Sequence, residues 1–472
     1  MTFWEHLQKL GTQYGERAAF ATADGKQRSY ETFVRELGQM RAYLLTVPEQ
    51  RIAIIGRPSY EWLLQVYGGV CAGKTMILGD GALPLQELAG LLIFADTQLL
   101  LQEVPDRELA HRLPGVKCGT YSEQWRSAAS NAVAHSAEGP VEGEFLLFSS
   151  GTSGNAKAAV HRPDTYYDNA EKVAQIYGGN VGDRVLIPLP MHHIFALCMT
   201  MLFLIGGRCL SFGTVGSLRK DLKWSHPTEL LAVVSVAEHL LEHGECPDSL
   251  KRITMAGSVC SRKLERKAET FGCSICNVYG ATELGGIAIN LPQDPVDHLT
   301  PAPGTQIRID PDGTIWIRTQ NHIREYYKQL EATTAFLTPE MTLGDVGQYR
   351  EDGTFCLLGR REGIIAMDNG DKLFVTEMEQ ALDALDSVRE SCVFYRNHKV
   401  CAVVSVVEGA SPEQIRPALE AYNRIQPKYR KIEEFLLTDR TLPRTNIGKL
   451  ARAKIEEWYL QQKEETDAGK IS

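Results

Sequence analysis

At 472 residues, 43% hydrophobic and 23% charged, the chain exceeds one ordinary core and has the make-up of a globular protein with two or more domains. A net charge of −9 argues against a general nucleic-acid surface and against an anionic-membrane surface. Eleven scattered cysteines, an odd number, speak for reduced thiols in a cytoplasm rather than a disulfide frame.

The opening MTFWEHLQKLGTQYGERAAF carries early acidic residues and lacks the apolar stretch of a signal peptide. RIAIIG at 51–56 predicts a strand, SYEWLLQVYGGVCAG a helix and TMILGD a second strand. FLLF is strand-like and stops in a segment of small hydroxyl residues and glycines, SSGTSGNAK. IFALCMTMLFLIGG, from Ile194, is shorter than the ~20 residues of a membrane span. It predicts a buried helix closed by a turn at Gly206-Gly207, so no integral membrane association is expected. Strand and helix alternate again through Leu230–Leu241, KRITMAG and SICNVYG, which argues for parallel sheets covered by helices. Cys273 and Cys276 have C-x-x-C spacing, but no second pair stands at metal-ligand distance, and a strand would point the two to opposite faces.

The character changes between Pro301 and Leu358. TQIRIDPDGTIWIRT is two alternating runs joined by PDG, and REDGTFCLLG repeats that turn chemistry, so antiparallel β structure is expected. Beyond Gly359 a smaller unit begins. It offers a helix near Thr376–Leu385, strands at SCVFYR and KVCAVVSVVEG, a helix from Pro412 and the segment FLLTDRTLPRTNIGKLARAKIEEW. The closing QQKEETDAGKIS is polar and expected to fray.

SSGTSGNAK has two readings. One is a Ser/Gly-rich surface loop. The other is a phosphate cradle, in which glycines let backbone N–H groups converge, hydroxyls donate and Lys157 supplies positive charge. The preceding strand suits the second, because α/β ligand sites lie beyond the carboxyl ends of strands. It is not a Walker loop, since only two residues separate Gly154 from Lys157.

SSGTSGNAK resembles the phosphate loop of the AMP-forming acyl-activating superfamily, which includes acyl-CoA synthetases, peptide-synthetase adenylation domains and luciferases. Four further segments match in order: LPMHHIFAL (189–197), NVYGATELGG (277–286), TLGDVGQYREDGTFCLLGRRE (342–362) and LPRTNIGKLARAKI (442–455). An ordered set spanning nearly the whole chain is far more specific than any member. The resemblance implies an α/β fold: residues 1–360 as a large N-terminal domain of two parallel-sheet lobes plus a small β-rich, barrel-like part, and residues 361–472 as a small mobile α+β domain.

It also implies the chemistry. Such enzymes join a carboxylic acid to AMP with ATP and Mg²⁺, release pyrophosphate, and pass the acyl group to a thiol, as on coenzyme A or a carrier protein. Ser150, Gly151, Thr152, Ser153, Gly154 and Lys157 would hold the β- and γ-phosphates, Thr152 also counting as catalytic. Glu283 would be the Mg²⁺ carboxylate and Thr282 would donate to the α-phosphate. Tyr279 would pack on adenine, with a core tyrosine as the plain alternative, and Asn277 and Gly280 would line the same nucleotide site. Asp345 would accept from the ribose hydroxyls, and Arg360 would reach the ribose or phosphate region.

Lys449 is the expected catalytic lysine, able to neutralise carboxylate and α-phosphate as they meet; without the resemblance it is a solvated lysine on a basic helix. His193 takes a positioning role at the acid and His192 none. The acyl pocket is expected between the His193 helix, Ala256-Gly257-Ser258 and Tyr279–Gly286. Glu362 falls at the family's hinge or is a simple exposed charge. Ala156 and Ala158 replace the family's usual proline and glycine. Three readings follow: a ligase of fatty or other apolar acids with coenzyme A, a stand-alone enzyme loading an aryl or acyl group onto carrier-protein phosphopantetheine, and a nucleotide-binding protein without catalysis.

Overall fold

The computed structural model describes residues 1–130, 142–149, 157–257, 260–361, 364–366, 372–396, 398–407, 409, 412–426, 430–444 and 450–468. The chain forms two compact units. The first comprises Met1–Cys260, Glu265–Ile307 and Ile317–Met341; the second comprises Ser261–Leu264, Arg308–Trp316 and Thr342–Ser472. Compactness thus groups residues 342–360 with the second unit.

Two large sheets organise the first unit. In the seven-stranded sheet the strands run in the order Glu325–Tyr326, Lys157–His161, Glu144–Ser149, Thr75–Leu78, Arg51–Ile55, Leu99–Gln102, Lys117–Thr120. The five from Glu144 onward are parallel, and the two at the near edge are antiparallel. The nine-stranded sheet has a parallel centre built on Ser274–Ala281, Arg252–Ala256, Glu229–Val233, Arg184–Ile187, Cys209–Phe212 and Ala18–Ala21. Antiparallel strands Gly285–Ile289 and Gln27–Ser29 flank it. The parallel sheets expected from the alternation are therefore mixed at their edges. The reason is local: GATELGG turns the chain back on itself after Ala281, which only an antiparallel neighbour accommodates.

Helix Pro163–Tyr177 starts with proline at its first turn, where the missing N–H costs nothing. Its buried face holds Tyr166, Tyr167, Ala170, Val173 and Tyr177, the spacing of an amphipathic helix. Helix Ile194–Ile205 is apolar all round and buried from Ala196 to Leu204, as its composition predicts. Tyr166 joins the two helices. Its hydroxyl donates to Leu197 O at 2.6 Å and accepts from Tyr67 at 2.8 Å, within a cluster of Phe3, Tyr67 and Phe145 rings. Each such ring contributes roughly 1.5–3 kcal/mol by leaving water, and the cluster fixes helix 163–177 against its neighbours.

In the second unit, strands Val388–Arg396, Lys399–Val406 and Glu434–Thr438 form one sheet, covered on one face by helices Val375–Asp383 and Pro412–Ile425. Asp345–Tyr349 and Phe355–Arg360 make the expected hairpin. The polar stretch from Gln461, expected to fray, continues helix Arg452–Ala468. Gln, Lys and Glu are good helix formers, and Ile455 and Tyr459 anchor that helix by burial. All eleven cysteines are free thiols. The side-chain partner of Cys273 is Cys246, whereas Cys276 lies inside its strand. No helix among the described residues is long and apolar enough to cross a membrane.

Candidate active site

Strand Ser274–Ala281 ends and turns through Thr282-Glu283-Leu284-Gly285 into strand Gly285–Ile289. Asn169, a polar residue on the buried face of helix Pro163–Tyr177, holds this turn. Its Nδ2 donates to Gly286 O at 2.8 Å and its Oδ1 accepts from Gly286 N at 2.9 Å. Gly285 has φ +66°, and a Cβ there would stand 2.5 Å from Asn169 Oδ1, so only glycine fits. From the other side, His161 at the end of its strand hydrogen-bonds the main chain of Thr282. Burial lowers the His161 pKa to about 4, leaving the ring neutral.

Glu283 is half-buried. Its main-chain oxygen accepts from Ile323 N at 2.8 Å, and its Oε1 accepts from the Tyr326 hydroxyl at 2.9 Å. Its second oxygen has no partner among the described residues. Burial, reinforced by the Glu283 charge, raises the Tyr326 pKa, so the phenol keeps its proton. Lys157 Nζ stands 4.7 Å from the centre of the Tyr326 ring. Glu283, Tyr326 and Lys157 are thus one contiguous group. Magnesium prefers one or two carboxylates, phosphate oxygens and water. A single Glu283 carboxylate, with one oxygen unpartnered among the described residues and the Lys157 ammonium in the same group, fits that donor set. Among the described residues no group of three His, Cys, Asp or Glu forms an all-protein cage.

The other expected residues are distributed as follows. Tyr279 lies on the same strand opposite Ala288 and is 6% exposed. Gly280 approaches Gly285 so closely that a Cβ would sit 2.5 Å from its carbonyl oxygen. Asn277 is buried, and its side-chain amide donates to Val296 O at 2.9 Å. Ala256 ends its strand and Gly257 follows with φ +87°. His193 is the residue before helix Ile194–Ile205 and is exposed. His192 Nε2 lies 3.6 Å from Asp80 Oδ2, and burial together with the neighbouring His193 takes its pKa down to about 4.

A cavity of about 10 Å³ lies between Ile194 and Cys198, Tyr166 and Asn169, and the Leu284–Gly285 turn. A larger pocket of about 360 Å³, lined by Arg318, His322 and Leu337 among others, includes none of the expected site residues.

In the second unit Asp345 and Arg360 are cross-strand partners, with Arg360 Nε 2.8 Å from Asp345 Oδ1. Ser150, Gly151, Thr152, Ser153, Gly154, Ser258, Glu362 and Lys449 lie outside the described residues.

The sequence reading missed Tyr326, Asn169 and His161. Asn169 was discoverable as the polar intruder on an apolar helical face. Tyr326 sits on a strand of two residues, too short for any alternation to show.

This two-sheet arrangement is an α/β fold shared with solved ligases. The structure of the anthranilate CoA ligase AuaEII with anthranoyl-AMP superposes with a TM-score of 0.84 at 18% identity, covering 97% of both chains. The O-succinylbenzoate coenzyme A synthetase MenE of Bacillus subtilis, with ATP and magnesium, gives 0.79 at 22% identity, covering 97% of this chain and 99% of that one. The medium/long-chain-fatty-acid–[acyl-carrier-protein] ligase FadD10 of Mycobacterium tuberculosis is 24% identical over 515 aligned positions, spanning 96% of this chain and 95% of the relative. The family model for AMP-binding enzymes matches residues 7–327. The chain belongs to the AMP-binding enzyme family, within the adenylate-forming superfamily.

Proposed function

We propose that the protein activates a fatty or other apolar carboxylic acid with ATP and transfers the acyl group to coenzyme A. The observation that carries this reading is the grouping of Lys157, Tyr326 and Glu283 beside the Thr282 turn.

In the first step a carboxylate oxygen attacks the α-phosphorus, the bond to the β-phosphate oxygen breaks, and pyrophosphate leaves. A carboxylate approaching a triphosphate meets like charge, so cations and donors must act where charge develops. Lys157, with Ser150, Gly151, Thr152, Ser153 and Gly154, would take the departing phosphates. Thr282 would donate to the α-phosphate, and His193 would orient the acid. Magnesium, when bound at Glu283, would neutralise charge on the leaving phosphates. Tyr279, Asn277 and Gly280 would bound the adenine, and Asp345 with Arg360 the ribose. In the second step a thiol gives up its proton to solvent, its sulfur attacks the acyl carbon, and the acyl carbon–phosphate oxygen bond breaks as AMP leaves. Residues 361–472 would turn about Glu362 between the steps, withdrawing Lys449.

The match to FadD10, a medium/long-chain-fatty-acid ligase, supports an apolar acid. ATP–pyrophosphate exchange with a panel of fatty and aryl acids tests the reading, and exchange with none of them refutes it. A second reading is favoured by the match to an acyl-carrier-protein ligase across almost the whole chain: the acceptor is the phosphopantetheine of a carrier protein. Product formation with coenzyme A and with holo carrier protein, compared side by side, separates the two.

A further inference from the structure

Tyr326 touches both charged members of the group through different parts of one side chain. Its hydroxyl donates to Glu283 Oε1 at 2.9 Å, and its ring face lies 4.7 Å from Lys157 Nζ. The residue itself is held firmly. It is 2% exposed, its N–H donates to Thr333 Oγ1 at 2.9 Å, its ring lies 5.8 Å from that of Phe336, and it pairs with Ala159 two residues beyond Lys157.

The choice of groups has electrostatic consequences. A neutral hydroxyl orients the carboxylate without cancelling its charge, and the other oxygen has no partner among the described residues. The aromatic face attracts the ammonium without neutralising it. A direct Lys157–Glu283 ion pair would instead use up both charges before any nucleotide arrived.

We propose that Tyr326 is a positioning residue that keeps the metal-ligating carboxylate and the phosphate-binding lysine apart, oriented and fully charged. The proposal rests on the adenylation reading above. The side chain acts on magnesium through its hydroxyl and on the triphosphate through its ring.

The test compares Tyr326→Phe and Tyr326→Leu with the wild type. Removing the hydroxyl alone raises the magnesium concentration for half-maximal acid-dependent exchange by about tenfold, the size of one hydrogen bond to a charged group. Saturating magnesium recovers most of the rate, and the KM for ATP moves little. Removing the ring as well raises the ATP KM in addition. A readout independent of turnover is the free Mn²⁺ resonance signal in a titration of enzyme with α,β-methylene-ATP, where Tyr326→Phe binds Mn²⁺ about tenfold more weakly. Tyr326→His, which restores an N–H donor on a flat ring, recovers part of that affinity and serves if the phenylalanine variant does not fold. Unchanged metal dependence in Tyr326→Phe, a fall in rate that saturating magnesium does not relieve, or histidine binding Mn²⁺ no better than leucine overturns the proposal. A wild type that exchanges with no acid defeats the adenylation reading instead.

Discussion

Two carboxylates of matching segments meet different fates. Glu283, in the first unit, accepts from a neutral phenol and has one oxygen without a partner among the described residues, whereas Asp345, in the second, is joined to the Arg360 guanidinium at 2.8 Å. The first arrangement leaves the carboxylate charge uncancelled. The second neutralises it and leaves a preset pair suited to hydroxyls, which ask for donors and acceptors rather than net charge. Their flanking glycines differ in the same sense. Gly285 is crowded by Asn169, while Gly344, with φ +77°, has nothing within 4 Å of the Cβ position. One carboxylate is built into a packed turn and the other into an open one.

Glu283→Gln attacks the contrast most directly. The amide oxygen still accepts from Tyr326, so the unfolding midpoint stays near that of the wild type, while acid-dependent pyrophosphate exchange falls about 10²–10³-fold. A comparable loss of stability would show the carboxylate to be structural.

Gly285→Ala and Gly344→Ala sharpen the difference between the turns. The first meets both a disfavoured φ and Asn169, at about 2–3 kcal/mol; the second meets only the φ cost of about 1 kcal/mol. Urea denaturation of the two variants measures the gap, and equal effects would mean that Asn169 yields freely.

His161 supplies a pH test of the packed turn. Its folded pKa of about 4 lies below the ~6.5 of an unfolded histidine, so the unfolded chain binds the proton first as pH falls. The stability tied to the neutral ring is complete above pH ~6.5 and is lost between there and pH ~4, about 1–2 kcal/mol by pH 5. His161→Gln should flatten the dependence of the unfolding midpoint on pH over that window.

The smallest effect belongs to the second carboxylate. Asp345→Asn breaks an ion pair whose arginine side chain is 51% exposed, so the stability change stays below about 1 kcal/mol. The KM for ATP then reports whether the pair serves the nucleotide.

Much of this architecture was legible because the chain states it locally. Ile52–Ile55 and Met76–Leu78 are apolar runs long enough to name central strands, and Gly313 and Gly353 mark the hairpin turns that follow. The SSGTSGNAK and GATELGG segments stood out by their clustered glycine, hydroxyl and charge, although residues 150–156 lie outside the described residues. What escaped depends on partners distant in the chain. Ala18–Ala21 pairs with Cys209–Phe212 across nearly two hundred residues, and no local pattern in either strand specifies the other. Tyr326 reads as one of two adjacent tyrosines until the fold brings Glu283, forty-three residues away in sequence, to its hydroxyl. The polar segment from Gln461, expected to fray, continues the helix from Arg452, whose Ile455 and Tyr459 are buried.

The buried cysteines have a practical consequence. Loss of hydration takes the Cys198 and Cys276 thiols in the first unit, and Cys392 in the second, up to about 12, so almost none is nucleophilic at neutral pH. Alkylation at these positions must wait for the surrounding structure to open. Peptide-resolved labelling rates would therefore clock the breathing of each unit separately, with no engineered reporter.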